Sequence, residues 1–136
     1  MKNVLFLSTL MLLFAVAGCN KDQKVVKTLD GKWQLSKLNG NAVPADEISQ
    51  VTFSNCKLRK DEYCAVRVDI TSFVGENISI SGDFRVLDKG ETIETRFTFD
   101  GEIVITRLTM KDLTKTKFVW EYTSDGFVYV DEYVKI

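Results

Sequence analysis

From about residue 30 onward, hydrophobic and polar positions alternate with a period of two. Ile78, Ile80, Phe84 and Val86 alternate with Ser79, Ser81, Asp83 and Arg85, and Val66, Val68 and Ile70 flank Arg67 and Asp69. Phe97 and Phe99 interleave with Arg96 and Thr98, and Phe118, Trp120 and Tyr122 form one bulky face. Successive side chains of a strand point to opposite faces, so this alternation predicts half-buried strands with an apolar inner face. Eight strands are expected, over 31–38, 49–57, 62–72, 76–87, 91–99, 102–111, 115–123 and 126–135. In the last of these, Phe127, Tyr129 and Tyr133 share one face and Val128, Val130 and Val134 the other, so neither face reads as solvated. Either the strand is covered on both sides or it carries an exposed patch for a partner.

Turn chemistry divides the strands. Gly75-Glu76-Asn77, Asp88-Lys89-Gly90, Asp100-Gly101 and Ser124-Asp125-Gly126 supply residues that tolerate positive φ, so most neighbours are expected to be hairpins. The one long connection, 39–48, holds the only proline, and Pro44-Ala45-Asp46-Glu47-Ile48 is expected to form a single helical turn. Val25 to Leu29 is the one further stretch expected to turn, as a plug at one end of the fold. Sequential strands joined by tight turns predict an all-β fold, an eight-stranded antiparallel up-and-down barrel, because closure removes both sheet edges. A two-sheet β-sandwich is the alternative.

The N-terminus follows a different pattern. Lys2 precedes an apolar run from Val4 to Gly18 interrupted only by Ser8 and Thr9. The run is shorter than the roughly 20 residues a membrane span needs and has the order of a secretory signal. It ends in Val16-Ala17-Gly18-Cys19, which resembles the lipobox of bacterial lipoproteins. The resemblance implies a signal peptide over 1–18, removed before use, and a diacylglycerol and palmitate-type acyl chain on Cys19. Asn20 rather than Asp follows the cysteine, which favours the outer membrane of the cell envelope over retention at the inner one. Residues 19–28 then read as a lipid-anchored tether, and 29–136 as the folded domain.

Removal of the signal leaves 118 residues, enough for one core. One of the 18 basic residues and none of the 19 acidic ones falls in the signal, so the net charge becomes −2 and nucleic acid is not expected as a partner. With Cys19 consumed by lipid, Cys56 and Cys64 remain as a pair in an oxidising compartment, on either side of a polar loop, and a disulfide is expected. The chain has no histidine, which removes histidine-based zinc sites and the Ser-His-Asp and Cys-His arrangements. No catalytic residue, metal or other cofactor is expected. The carboxylates a glycosidase would need, Asp61, Glu62, Glu91, Glu94, Asp131 and Glu132, sit near predicted strand ends or on outward faces, where solvation is the default.

Gly31-Lys32-Trp33 at the start of the first strand matches the Gly-x-Trp motif of lipocalins, whose Trp closes the lower end of the barrel. Together with Leu35 and the run holding Ile103, Ile105, Leu108 and Leu113, residues 29–136 resemble the lipocalin-like domains of small bacterial lipoproteins. The Thr-Asp-Tyr motif of animal lipocalins is absent. The resemblance implies a small hydrophobic or amphipathic ligand in the barrel mouth, with Trp33, Phe97, Phe118 and Trp120 lining the pocket. The alternative is a filled barrel that acts as an interaction module for an envelope protein.

Overall fold

The computed structural model describes residues 21–59, 62–72 and 74–136. The expected signal peptide, Cys19 with its expected lipid, and the loop carboxylate Asp61 lie outside the described residues. A helix, α1, covers 21–29, and nine strands follow: β1 (Gly31–Leu38), β2 (Asn41–Ala42), β3 (Ile48–Phe53), β4 (Cys64–Thr71), β5 (Asn77–Leu87), β6 (Thr92–Phe99), β7 (Glu102–Leu113), β8 (Lys117–Ser124) and β9 (Phe127–Lys135).

Every pairing is antiparallel and follows chain order from β3 to β9, and β9 returns to pair with β1 from Trp33↔Lys135 to Leu38↔Asp131. That last ladder closes the sheet into an eight-stranded antiparallel up-and-down barrel, which excludes the two-sheet sandwich. β2 is an added two-residue strand, paired only with the end of β1. The β1–β3 ladder stops at Gln34↔Gln50, so beyond it β2 in the 39–47 connection, not β3, pairs along that edge of β1. Around Pro44 this connection makes a turn closed by the Glu47 N–H donating to the Pro44 carbonyl, in place of the expected helical turn. Register shifts at Leu35/Lys37 in β1 and Met110/Asp112 in β7 mark bulges, the usual means of bending a sheet tightly enough to close.

The predicted turns take left-handed conformations: Asp88 and Lys89, Asp100 and Gly101, and Asp125 and Gly126 all have positive φ. Two glycines are needed for other reasons. Gly31 opens β1 at φ +117°, outside the range of other residues, so that the chain can leave α1 and enter the barrel directly. Gly82 faces inward on β5, and a Cβ there would collide with the Arg96 carbonyl and with the Phe97 ring at 2.5 Å, so Phe97 lies flat over bare backbone.

The core occupies the α1 end. Val26, Leu29, Trp33, Phe53, Phe84, Ile93 and Phe118 are almost fully buried there. Trp33 meets Phe118 edge to face at 5.0 Å, and Phe118 stacks on Tyr133 at 4.7 Å, arrangements that add to burial. The stretch expected to run as a tether up to residue 28 is therefore helical by Lys21. Val26 and Leu29 share one helical face, and burying it in the open end of a barrel stabilises a helix too short to persist alone. The expected plug at Val25 to Leu29 is its final turn.

Several contacts hold the plug. The Trp33 indole donates to the Leu29 carbonyl at 2.6 Å. The Gln23 amide donates to the Cys56 carbonyl and accepts from the Leu58 N–H, both at 2.8 Å. Val25 packs against Gly90 so closely that a Cβ on Gly90 would stand 2.8 Å from it. Lys135 lies over the Trp33 ring at 5.0 Å and donates to the Asp30 carbonyl at 2.7 Å. The Cys56–Cys64 disulfide is present, with Cα atoms 5.5 Å apart, and anchors the loop that Gln23 grips.

Candidate functional site

With one end plugged, the lumen opens only toward the β1–β2, β4–β5, β6–β7 and β8–β9 turns. Ile78 shares the inner face of β5 with Phe84, yet Phe84 is fully buried and Ile78 half exposed, because Ile78 stands near the mouth. Between floor and mouth lies a cavity of about 300 Å³. Its wall comes from alternate residues of six strands: Val51 and Phe53, Val66 and Val68, Thr95 and Phe97, Val104 to Leu108, Trp120 and Tyr122, and Asp131 and Tyr133. Phe99 and Val104 are nearly half exposed and mark the entrance. A second concavity of about 240 Å³, lined by Leu35, Leu38, Val43, Ile48 and Ile70, lies where β1 has parted from β3 and the 39–47 connection bridges the gap.

The four residues expected to line a pocket divide. Phe97 and Trp120 line the cavity. Trp33 and Phe118 do not: both are fully buried in the floor, where α1 fills the space an open lower end would have left. Alternation correctly turned them inward but carried no information on depth along the barrel.

Two carboxylates depart from the expected solvated state. Asp131 points into the lumen from β9, directly opposite Trp120, and is 6 % exposed. The Trp120 indole donates to its Oδ2 at 3.2 Å, while Oδ1 is buried without a hydrogen-bond partner. Burial pushes the Asp131 carboxyl above the usual carboxylate range, and the Trp120 and nearby Tyr122 donors pull it back in part. Burial also pushes the Tyr133 phenol up. A polar residue at an inward position breaks the apolar alternation of β9, and that break between Tyr129 and Tyr133 was the signal available in the sequence.

Glu94 points outward from β6 and is nonetheless 2 % exposed. The Tyr63 hydroxyl donates to its Oε1 at 2.7 Å, Arg85 Nε to the same oxygen at 2.8 Å, and Arg107 Nε to Oε2 at 2.9 Å. Led by the Tyr63 bond, these donors hold the Glu94 carboxyl below the usual range despite burial. Arg96 lies over the Tyr63 ring at 4.2 Å and pairs with Asp83. The cluster pins the disulfide-closed loop to the outer wall through the Tyr63 hydroxyl. Sequence offered no sign of it, since Tyr63 reaches Glu94 only after the loop folds back. Elsewhere on the outer wall, Ile103 and Ile105 of β7 and Val128 of β9 are more than half exposed.

Among solved structures, a lipocalin-like protein from Bacteroides uniformis superimposes with a TM-score of 0.55 at 15% identity, covering 80% of this chain and 99% of that one. A redesigned β-barrel gives 0.54 at 18% identity, covering 82% and 94%. A barrel solved bound to the small molecule DFHBI gives 0.50 at 17% identity, covering 85% and 99%. No family model and no curated protein matches the sequence. At these identities the likeness is one of fold: a lipocalin-like barrel.

Proposed function

We propose that this chain is a lipid-anchored lipoprotein of the cell envelope whose barrel binds a small hydrophobic or amphipathic ligand in its lumen, without catalysing a reaction. The carrying observation is the cavity of about 300 Å³, which sits at the lower limit of ligand sites and has an apolar wall with a few convergent polar groups, Thr95, Thr106, Tyr122 and Asp131. A structural neighbour was solved bound to DFHBI, which supports small-molecule binding by a fold of this kind. Native mass spectrometry of protein purified from cells tests the reading. A co-purifying small molecule released on denaturation is expected; ligand-free protein that also ignores a panel of apolar compounds would sink it.

Anchoring rests on the lipobox resemblance at Val16-Ala17-Gly18-Cys19, and Asn20 points to the outer membrane. Because the chain is helical by Lys21, an acylated Cys19 would stand within two residues of α1 rather than at the far end of the extended 19–28 tether expected from the sequence. The lipid would then hold the plugged end near the membrane and turn the mouth away from it. Labelling with radioactive palmitate tests this: incorporation by the wild type and none by Cys19→Ser is expected, and equal labelling of both refutes it. The exposed Ile103, Ile105 and Val128 keep a second reading open, docking of an envelope protein on the outer wall. Cross-linking in intact cells that recovers no partner would count against it.

A further inference from the structure

Asp131 is the exceptional group inside the barrel. The rest of the cavity wall is apolar or carries hydroxyls, and among the described residues no lysine or arginine lines it. One carboxylate oxygen takes the Trp120 indole and the other makes no hydrogen bond, although the Tyr122 hydroxyl stands near the carboxyl and the side chain is more than nine-tenths buried. Folding ordinarily supplies a donor to a buried acceptor, because leaving one unmet is costly. Here the unmet acceptor belongs to a residue that lines the cavity of about 300 Å³, and its rotamer is held by Trp120 from the neighbouring strand. That is the arrangement of a preorganised acceptor.

We infer that the lumen selects an apolar molecule with a hydrogen-bond-donating cationic head, a protonated alkyl amine being the simplest case, with the head on Asp131 and the tail along Phe97, Val104 and Leu108. This rests on the lumen-binding reading above and narrows it. An ammonium group supplies both the missing donor and the missing countercharge, and such charge-assisted bonds are the stronger kind. A fatty carboxylate is disfavoured by the same geometry, since two like charges would share a low-dielectric site with no cation in its wall. A neutral alcohol satisfies the acceptor and leaves the charge unmatched.

Octylamine, octanol and octanoate share one tail and differ in the head. Each is titrated into the full-length chain at neutral pH, with tryptophan fluorescence as the readout because Trp120 borders Asp131. The amine is expected to bind about tenfold more tightly than the alcohol, and the carboxylate most weakly. Asp131→Asn is expected to abolish the preference for the amine while still binding octanol, which also shows that the variant is folded. Equal affinity of the wild type for all three heads, or an amine preference that survives in Asp131→Asn, overturns the inference and leaves the lumen reading standing. Failure of all three to bind the wild type overturns both.

Discussion

The indole nitrogen of Trp33 donates a 2.6 Å hydrogen bond to the carbonyl of Leu29, joining the first strand of the barrel to the last turn of the helix that plugs it. Both residues are fully buried, so no solvent stands ready to replace the bond. Trp33→Phe keeps an aromatic ring against Phe118 but leaves the carbonyl unpaired and a small void beside it. The expected loss is about 2–3 kcal/mol of unfolding free energy. Urea denaturation checks it: the midpoint falls while the slope stays constant. An unchanged midpoint would show that the plug does not depend on this bond.

Phe97 lies over Gly82, where a Cβ would strike the Arg96 carbonyl as well as the ring. A backbone oxygen held in the β5–β6 ladder cannot move aside as a flexible side chain can. Gly82→Ala is therefore expected to cost about 1–3 kcal/mol and to shift Phe97 within the cavity wall. Thermal unfolding reads the first effect, and a change in the Phe97 ring resonances by NMR the second. A stable variant with unmoved Phe97 would contradict the close approach.

The disulfide closes the loop that carries both Gln23 contacts and Tyr63. Replacing Cys56 and Cys64 together by Ser is expected to lower stability by about 2–3 kcal/mol, and reductant should have the same effect on the wild type and none on the variant. A variant as stable as the oxidised wild type would show that the Gln23 and Glu94 contacts hold the loop unaided.

Glu94 and Asp131 bend the pH profile in opposite directions. The Glu94 carboxyl is lowered in the folded state, so its contribution is present above its unfolded pKa and is lost as pH falls through the folded value. Asp131 is raised, so its charged form weakens the fold in full above the folded pKa, and that penalty shrinks as pH falls through it and is gone below the unfolded pKa. Glu94→Gln is expected to be destabilised at neutral pH and to lose part of the wild type's sensitivity to acid. Asp131→Asn is expected to be more stable than the wild type at neutral pH, with the difference closing in acid. Chemical denaturation across the acid to neutral range checks both, and parallel profiles for the three proteins would refute the assignment.

The eight barrel strands, the inward or outward direction of side chains where alternation is clean, the positive-φ turns and the Cys56–Cys64 pair were legible in the chain, because each depends on a period of two, on local backbone sterics or on cysteine arithmetic. Gly31-Lys32-Trp33 pointed to the closed end of a barrel only through its resemblance to the lipocalin motif. What lies at which depth was decided only by the tertiary structure. Trp33 and Trp120 carry the same inward pattern, yet one is floor and the other cavity wall, because α1 enters from the N-terminal side and fills one end of the lumen. The helix itself was hidden, since only Val25, Val26 and Leu29 mark its apolar face and the barrel stabilises it from outside the segment. Asp131 and Glu94 read alike as charged residues of strands. Closure of the barrel buried the first with one oxygen unmet, and the folded-back disulfide loop covered the second, adding the Tyr63 hydroxyl to the donors of Arg85 and Arg107 on the neighbouring strands. Burial of a charge is set by what distant segments bring over it, and that information is not local to the charge.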